Sequence, residues 1–393
     1  MQPTKQMSFV SRSGTVGRPK EFILAGDASA SLRNTGFEEL KDVKSTRFER
    51  KNQHRKSRRA DGGDIAPYRS VSREEVLCNP VLLGNVKFDH IRSFQNLEAY
   101  PHVFESDLDV LQWACAMTGE SPTARMLLKE AQEDGWAIAL DDLSQDGYAI
   151  DAETQSVLID HFGMTAPAIG KSAHFRHAML VNFIKALRQL WHDRRNTNMY
   201  ASHRPDAIIQ LERARAADCE TIAILAGWEL RAAGHSDFWR YLIGSSIGDM
   251  AIAFTQKNET DPTGFYDGSV LTRTFCEWYA DETRVGATDT ATLEYMDELM
   301  ADANGKPAFG KNSVSSAAVE RLSALPKDRA YLEGMGNNIC VDPHFVRMRD
   351  TINEAHLSQI IYDTQVVRVE GVPFRDPRLA RLIFPENKVK VTE

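Results

Sequence analysis

The sequence predicts an α+β fold, predominantly helical, with a core of long helices and a small antiparallel sheet. Two observations carry that prediction. In Lys171–Arg195, Phe175, Met179 or Leu180, Ile184, Leu187 and Trp191 recur at helical spacing, and a second long pattern runs from Pro205 to Ala233 and stops at Gly234. Ahead of them, Trp136–Leu140, Tyr148–Ile150 and Ser156–Ile159 are short apolar pieces separated by Asp, Gly and Glu, as in a sheet of short strands. No internal repeat of fixed period is present.

Taken in order, residues 1–75 are rich in Ser, Gly, Arg and Lys and poor in periodic hydrophobes, which reads as a disordered basic tail. From about Val76 the composition turns globular. Ser106–Thr118 reads as a helix capped by Ser106, and Ser121-Pro122 opens another that Gly135 closes. Lys171–Arg195 reads as the helix around which the chain is organised. A third long helix is expected at Ser236–Gln256 despite Gly244 and Gly248, and further helices at Gly264–Thr283, Ala291–Ala301 and His344–Thr364. Val366–Val369 reads as a short strand, and the closing VPFRDPRLARLIFP as a segment that packs back onto the body. The expected organisation is a tail over 1–75, a core over 76–260 and a helical part over 261–393 packed on it.

The formal net charge of −8 hides an asymmetry. Residues 1–60 hold 14 Lys+Arg against 6 Asp+Glu, which leaves 33 against 49 for the remainder: a basic tail on an acidic body. No run of about 20 apolar residues exists, so no membrane span is expected. Five scattered cysteines without a CxxC pair point away from a disulfide framework and towards a reducing cytoplasm.

The motifs exclude more than they assign. HExxH, which sets two imidazoles one turn apart around zinc with a glutamate beside them, is absent. His174 and His177 share a helix face but have no acid between or just after them, and His192-Asp193 are adjacent and so do not face each other. There is no GxSxG elbow, no GxGxxG and no P-loop. Polar density remains in the second long helix: Glu212, Arg213, Arg215, Asp218, Glu220, Glu229 and Arg231. Beside apolar Ile222, Ile224, Leu225 and Trp228, such charges must be paired. The structural reading is an ion-pair network. The functional one is a polar pocket in which Asp218 and Glu220 face Lys185, Arg188, Gln189 and His192, with perturbed acids able to move protons.

The segments SAHFRHAMLVNFIKALRQLWHDRR, ERARAADCETIAILAGWELRAAG, FWRYLIGSSIGDMAIAF and VPFRDPRLARLIFP resemble a bacterial family of unknown function described as a putative metallopeptidase domain, over roughly Asp107 to Pro385. The resemblance implies a zincin-like core. Zincin relatives carry a helix reading like HELRHAWQ, followed by a helix that starts with an acidic ligand. Against that pattern Lys185 and Gln189 stand where the two histidines would be, and Ala186 where the glutamate would be. Leu187, Arg188 and Trp191 match, and Asp218 and Glu220 fall near the third ligand. An ammonium and a neutral amide cannot replace two imidazoles around zinc, and alanine cannot activate water.

The leading expectation is therefore a zincin-like domain that binds no catalytic metal and needs no cofactor. It would serve as a binding or scaffold protein for an unidentified protein or peptide partner. A second is a metallopeptidase whose zinc is held by an unusual set drawn from His174, His177, His192, Asp218 and Glu220. A third, motivated by RFERKNQHRKSRR in the tail, is association with nucleic acid through charge.

Overall fold

Ser106 opens the first helix, α1 (Asp107–Glu120), through a capping box. Its hydroxyl accepts from the Asp109 amide, and the Asp109 carboxylate accepts from the Ser106 amide. Ser121 ends α1 and caps α2 (Pro122–Glu133), with Pro122 at the first helical position. The structure, a computed structural model, describes residues 81–82, 102–144, 147–196, 199–303, 307–325, 329–365, 367–369 and 372–374. The expected basic tail, Cys78, and the closing segment beyond Phe374 lie outside the described residues.

The three apolar pieces form strands β2 (Ala137–Asp141), β3 (Tyr148–Asp151) and β4 (Ser156–Asp160), joined by β1 (Val81–Leu82) in the order β1-β2-β4-β3. The sheet is mixed, which corrects the antiparallel expectation. β3 folds back on β4 as a hairpin, and β4 lies between β3 and β2. Two reversals restore the original direction, so β4 runs parallel to β2, from Ala137 opposite Ser156 to Asp141 opposite Asp160. Being central, β4 buries side chains on both faces, among them Val157, Ile159 and Asp160.

After the short α3 (Ala166–Lys171), Ser172 caps α4 (Ala173–Arg195). The segment expected as one helix from Lys171 thus begins two residues later, at a serine whose hydroxyl accepts from the Phe175 amide. A short α5 (Met199–Ser202) leads to α6 (Pro205–Ala232), 28 residues and about 42 Å long. The fold is organised around α6 more than around α4. From Ala207 to Leu230 it is buried on nearly every side, and α4, α7 (Ser236–Ile243), α10 (Ser269–Trp278) and α11 (Glu282–Asp302) pack against it. A helix wrapped all round must be apolar or carry paired charges. α6 does both.

The expected third long helix is two. α7 stops at Gly244, and α8 (Gly248–Thr260) starts after a turn. A Cβ on Gly248 would lie 2.2 Å from the Ile243 carbonyl oxygen, so the tight turn needs glycine there. The next expected helix is likewise divided, into α9 (Gly264–Asp267) and α10, by Gly268 at φ +85°. Beyond α11 come α12 (Ser316–Leu322), α13 (Gly336–Val341), α14 (Pro343–Val346) and α15 (Thr351–Thr364), then the hairpin of β5 (Val367–Val369) and β6 (Val372–Phe374). Among the described residues, no helix is long and apolar enough to cross a membrane.

Candidate functional site

Helices α4 and α6 lie side by side, and their contact face carries charge where a core would carry leucine. On α4 the turn spacing puts Lys185 and Gln189 on one line and Arg188 and His192 on the next. All four are buried, as are Asp218 and Glu220 on α6. Of the six residues singled out from sequence, five therefore fall into two separate groups, Arg188 and His192 with Asp218 and Lys185 with Glu220, and Gln189 belongs to neither.

The first group is centred on Asp218. Arg188 grips it in fork geometry, Nε donating to Oδ2 (2.5 Å) and Nη2 to Oδ1 (3.1 Å). His192 Nε2 lies 2.8 Å from Oδ2, and the Tyr331 hydroxyl donates to Oδ1 at 2.8 Å. The remaining Arg188 donors reach the Leu322 and Ala324 carbonyls, and its guanidinium stacks 3.9 Å over the Trp191 ring. Burial alone would raise the Asp218 pKa, but the Arg188 charge and the His192 hydrogen bond bring it down to about 2. Burial, outweighing the pull of Asp218, lowers His192 to about 4. An ionised carboxylate facing a neutral imidazole assigns the His192 proton to Nε2. Nδ1 then carries a lone pair, and it has no hydrogen-bond partner. The same buried carboxylate pushes the Tyr331 hydroxyl pKa well above its ordinary value, after burial itself. Tyr331 is thus a donor at every working pH.

The second group is centred on Glu220. Lys185 Nζ lies 3.2 Å from Oε1, and Arg284 Nε lies 3.6 Å from Oε2. Arg284 also donates to Asp249 Oδ1 at 2.9 Å. Gln189 faces elsewhere: its Oε1 accepts from the Tyr148 hydroxyl at 2.8 Å, tying α4 to β3. Sequence reasoning missed Tyr331, Arg284 and Tyr148. They are far away in the chain, and no local pattern marks them.

The rest of the polar density on α6 is spent on further ion pairs. Arg213 holds Asp289 of α11 by two hydrogen bonds of 2.6 and 2.7 Å. Arg215 bonds Glu212 and Asp193, so Asp193 serves Arg215 and not its neighbour His192. Burial raises the pKa of both Glu212 and Asp193, even with Arg215 between them. Glu229 leaves the site altogether and caps α2, accepting from Ser121 Oγ, the Thr123 amide and Thr123 Oγ1. Arg231 stacks 4.5 Å over Trp228. His177, at the start of α4, pairs with Asp237 at 3.2 Å, while His174 lies edge-on to Tyr241.

Zinc asks for three or more N, O or S donors with lone pairs to give. Among the described residues, no three His, Cys, Asp or Glu side chains converge in that way. Asp218 spends its acceptor capacity on four protein donors, and the immediate neighbours of Glu220 are cations. Every group that meets the two carboxylates is a donor. The residues present do not fit a zinc ion.

No curated protein and no solved structure matches the chain. Residues 171–332, which run from the end of α3 to the segment that carries Tyr331, match the model of a family of unknown function, the Putative metallopeptidase family (DUF6782).

Proposed function

We propose that this chain is a metallopeptidase-like domain that performs no metal-dependent hydrolysis and works as a binding or scaffold module for a protein or peptide partner. The observation behind this reading is the chemistry of the α4–α6 contact. Lys185, Ala186 and Gln189 replace the three groups that a zincin helix contributes, and the acids opposite are neutralised by Arg188, Lys185 and Arg284. A buried cluster whose carboxylates are held by cations stiffens a domain but puts no ionised acid in reach of a substrate.

Elemental analysis of protein purified without added metal tests the reading. The expected result is no stoichiometric zinc, and no peptide hydrolysis that a chelator abolishes. One zinc per chain, lost in an Asp218→Ala variant that still folds, would overturn it in favour of a metallopeptidase with an unorthodox ligand set.

A further inference from the structure

We infer that Asp193, Arg215 and Glu212 form a proton-operated latch at the corner where α4 gives way to α5. It is closed while the two acids together hold one proton, and it loosens when that proton leaves. The inference does not rest on the metal-free reading above.

A charge count leads there. Arg215 is a single guanidinium between two carboxylates: Nη1 donates to Glu212 Oε1 at 3.0 Å, and Nη2 donates to Asp193 Oδ1. The Tyr200 hydroxyl donates to the same Glu212 oxygen at 2.9 Å but brings no charge. With both acids ionised, the trio carries one negative charge that nothing in it balances. The titratable groups that act on it from neighbouring elements are His192 of α4, Tyr200 of α5, Cys219 of α6 and Tyr295 of α11. His192 is neutral, and the other three carry no positive charge in any state. Two more acids of α11, Glu298 and Asp302, act on Tyr295 and add to the negative side.

An interior acid takes up a proton sooner than keep an unbalanced charge. Burial accordingly lifts both acids above their ordinary values against the pull of Arg215, and Asp193 lifts Glu212 further. Both acids are bound to one guanidinium, so the proton belongs to the pair and not to either residue.

The geometry shows which arm lets go. Glu212 is 4% exposed, and its Oε1 is held by two donors. Asp193 stands in the last turn of α4 with 31% of its side chain exposed, and its Oδ2 accepts no hydrogen bond. When the proton leaves, Asp193 is the acid that can turn to water while Arg215 stays with Glu212. The corner it releases is shared. Tyr200 holds α5 to Glu212 and lies edge-on to Tyr295 at 5.1 Å. Against α5 dock Gly310 and Asn312, whose amides donate to the His203 and Ser202 carbonyls at 3.1 Å each. A Cβ on Gly310 would lie 2.2 Å from the Ser202 carbonyl, so that approach is close and fixed.

The experiment is amide hydrogen exchange of the full chain between about pH 6 and 9, corrected for the intrinsic rate, beside titration of the isotope-labelled side-chain carboxyl carbons. His177 and His192, with folded pKa values of about 4, stay neutral in the folded chain throughout. In the wild type one carboxyl of the pair should titrate above the ordinary range, and protection in the last turn of α4 and in α5 should fall by about threefold or more as it ionises. Asp193→Asn and Glu212→Gln should each hold that protection level across the range, because either amide stands in for the protonated acid. The double variant leaves Arg215 without a counter-charge and should loosen the corner at every pH. Both acids titrating in the ordinary range, or wild-type protection of the corner that is level in pH, overturns the inference. So does an Asp193→Asn variant already as loose at pH 6 as the wild type is at pH 9. If one single variant does not fold, the other carries the comparison, and the wild-type titration decides without either.

Discussion

At the scale of single residues, Asp218 is the group with most at stake. Its carboxylate is buried, ionised and bound by four donors from three residues, Arg188 and His192 on α4 and Tyr331 far downstream. Truncation would leave the Arg188 guanidinium buried without its counter-charge. Asp218→Ala is expected to cost about 3–5 kcal/mol in urea unfolding. Arg188→Leu should cost less than that, because His192 and Tyr331 still bond the carboxylate. The histidines and acids of the α4–α6 face were legible from helical spacing, since residues one turn apart must share a side. What they pair with was not. Asp218 could be matched with Arg188 or with Lys185 from sequence, and only the fold shows that Arg188 takes Asp218 while Lys185 takes Glu220.

At the scale of elements, the instructive case is a helix end capped from a distance. The first turn of α2 has amides that its own helix cannot satisfy, and Ser121 supplies one acceptor. Glu229, more than a hundred residues later on α6, accepts from the Thr123 amide and from the Ser121 and Thr123 hydroxyls, and sets a negative charge against the positive helix end. Glu229→Gln keeps the shape but removes the charge, so a loss of about 1–2 kcal/mol is expected from chemical unfolding. Alanine there should lose more. Element boundaries were read well where a cap or a Pro marked them, as at Ser106, Ser121 and Pro205. They were read poorly where glycine interrupts an apolar period. The pattern through Gly244 and Gly248 continues as if one helix ran on, because periodicity records which side is apolar and not whether the backbone turns. Strand direction was illegible for a similar reason: alternation marks a strand but says nothing of the order in which strands meet.

At the scale of the whole molecule, the buried histidines make stability depend on acid. His177 and His192 each have a folded pKa of about 4, lowered mainly by burial from 6.5. The unfolded chain therefore binds their protons first as pH falls. Their contribution is complete above about pH 6.5 and lost as pH drops through 6.5 towards 4, at roughly 3 kcal/mol each. Asp218 acts later: its folded pKa of about 2 lies below the ordinary 3.8, so its contribution is lost only as pH falls from about 4 towards 2. Urea midpoints should thus fall between about pH 7 and 4, and His192→Gln should flatten that fall. A midpoint that is level across this range would show that neither ring is buried neutral.

The Arg188–Asp218 hub also bears on how the chain comes together in time. Arg188 finds two of its acceptors at Leu322 and Ala324, and Asp218 finds one of its donors at Tyr331, more than a hundred residues downstream. During synthesis α4 and α6 emerge long before these partners, so their buried charges stay incompletely satisfied until residue 331 is available. Closing so long a loop is a late and slow event in folding. The helix pair at the centre of the molecule is among the first elements made and among the last to be finished.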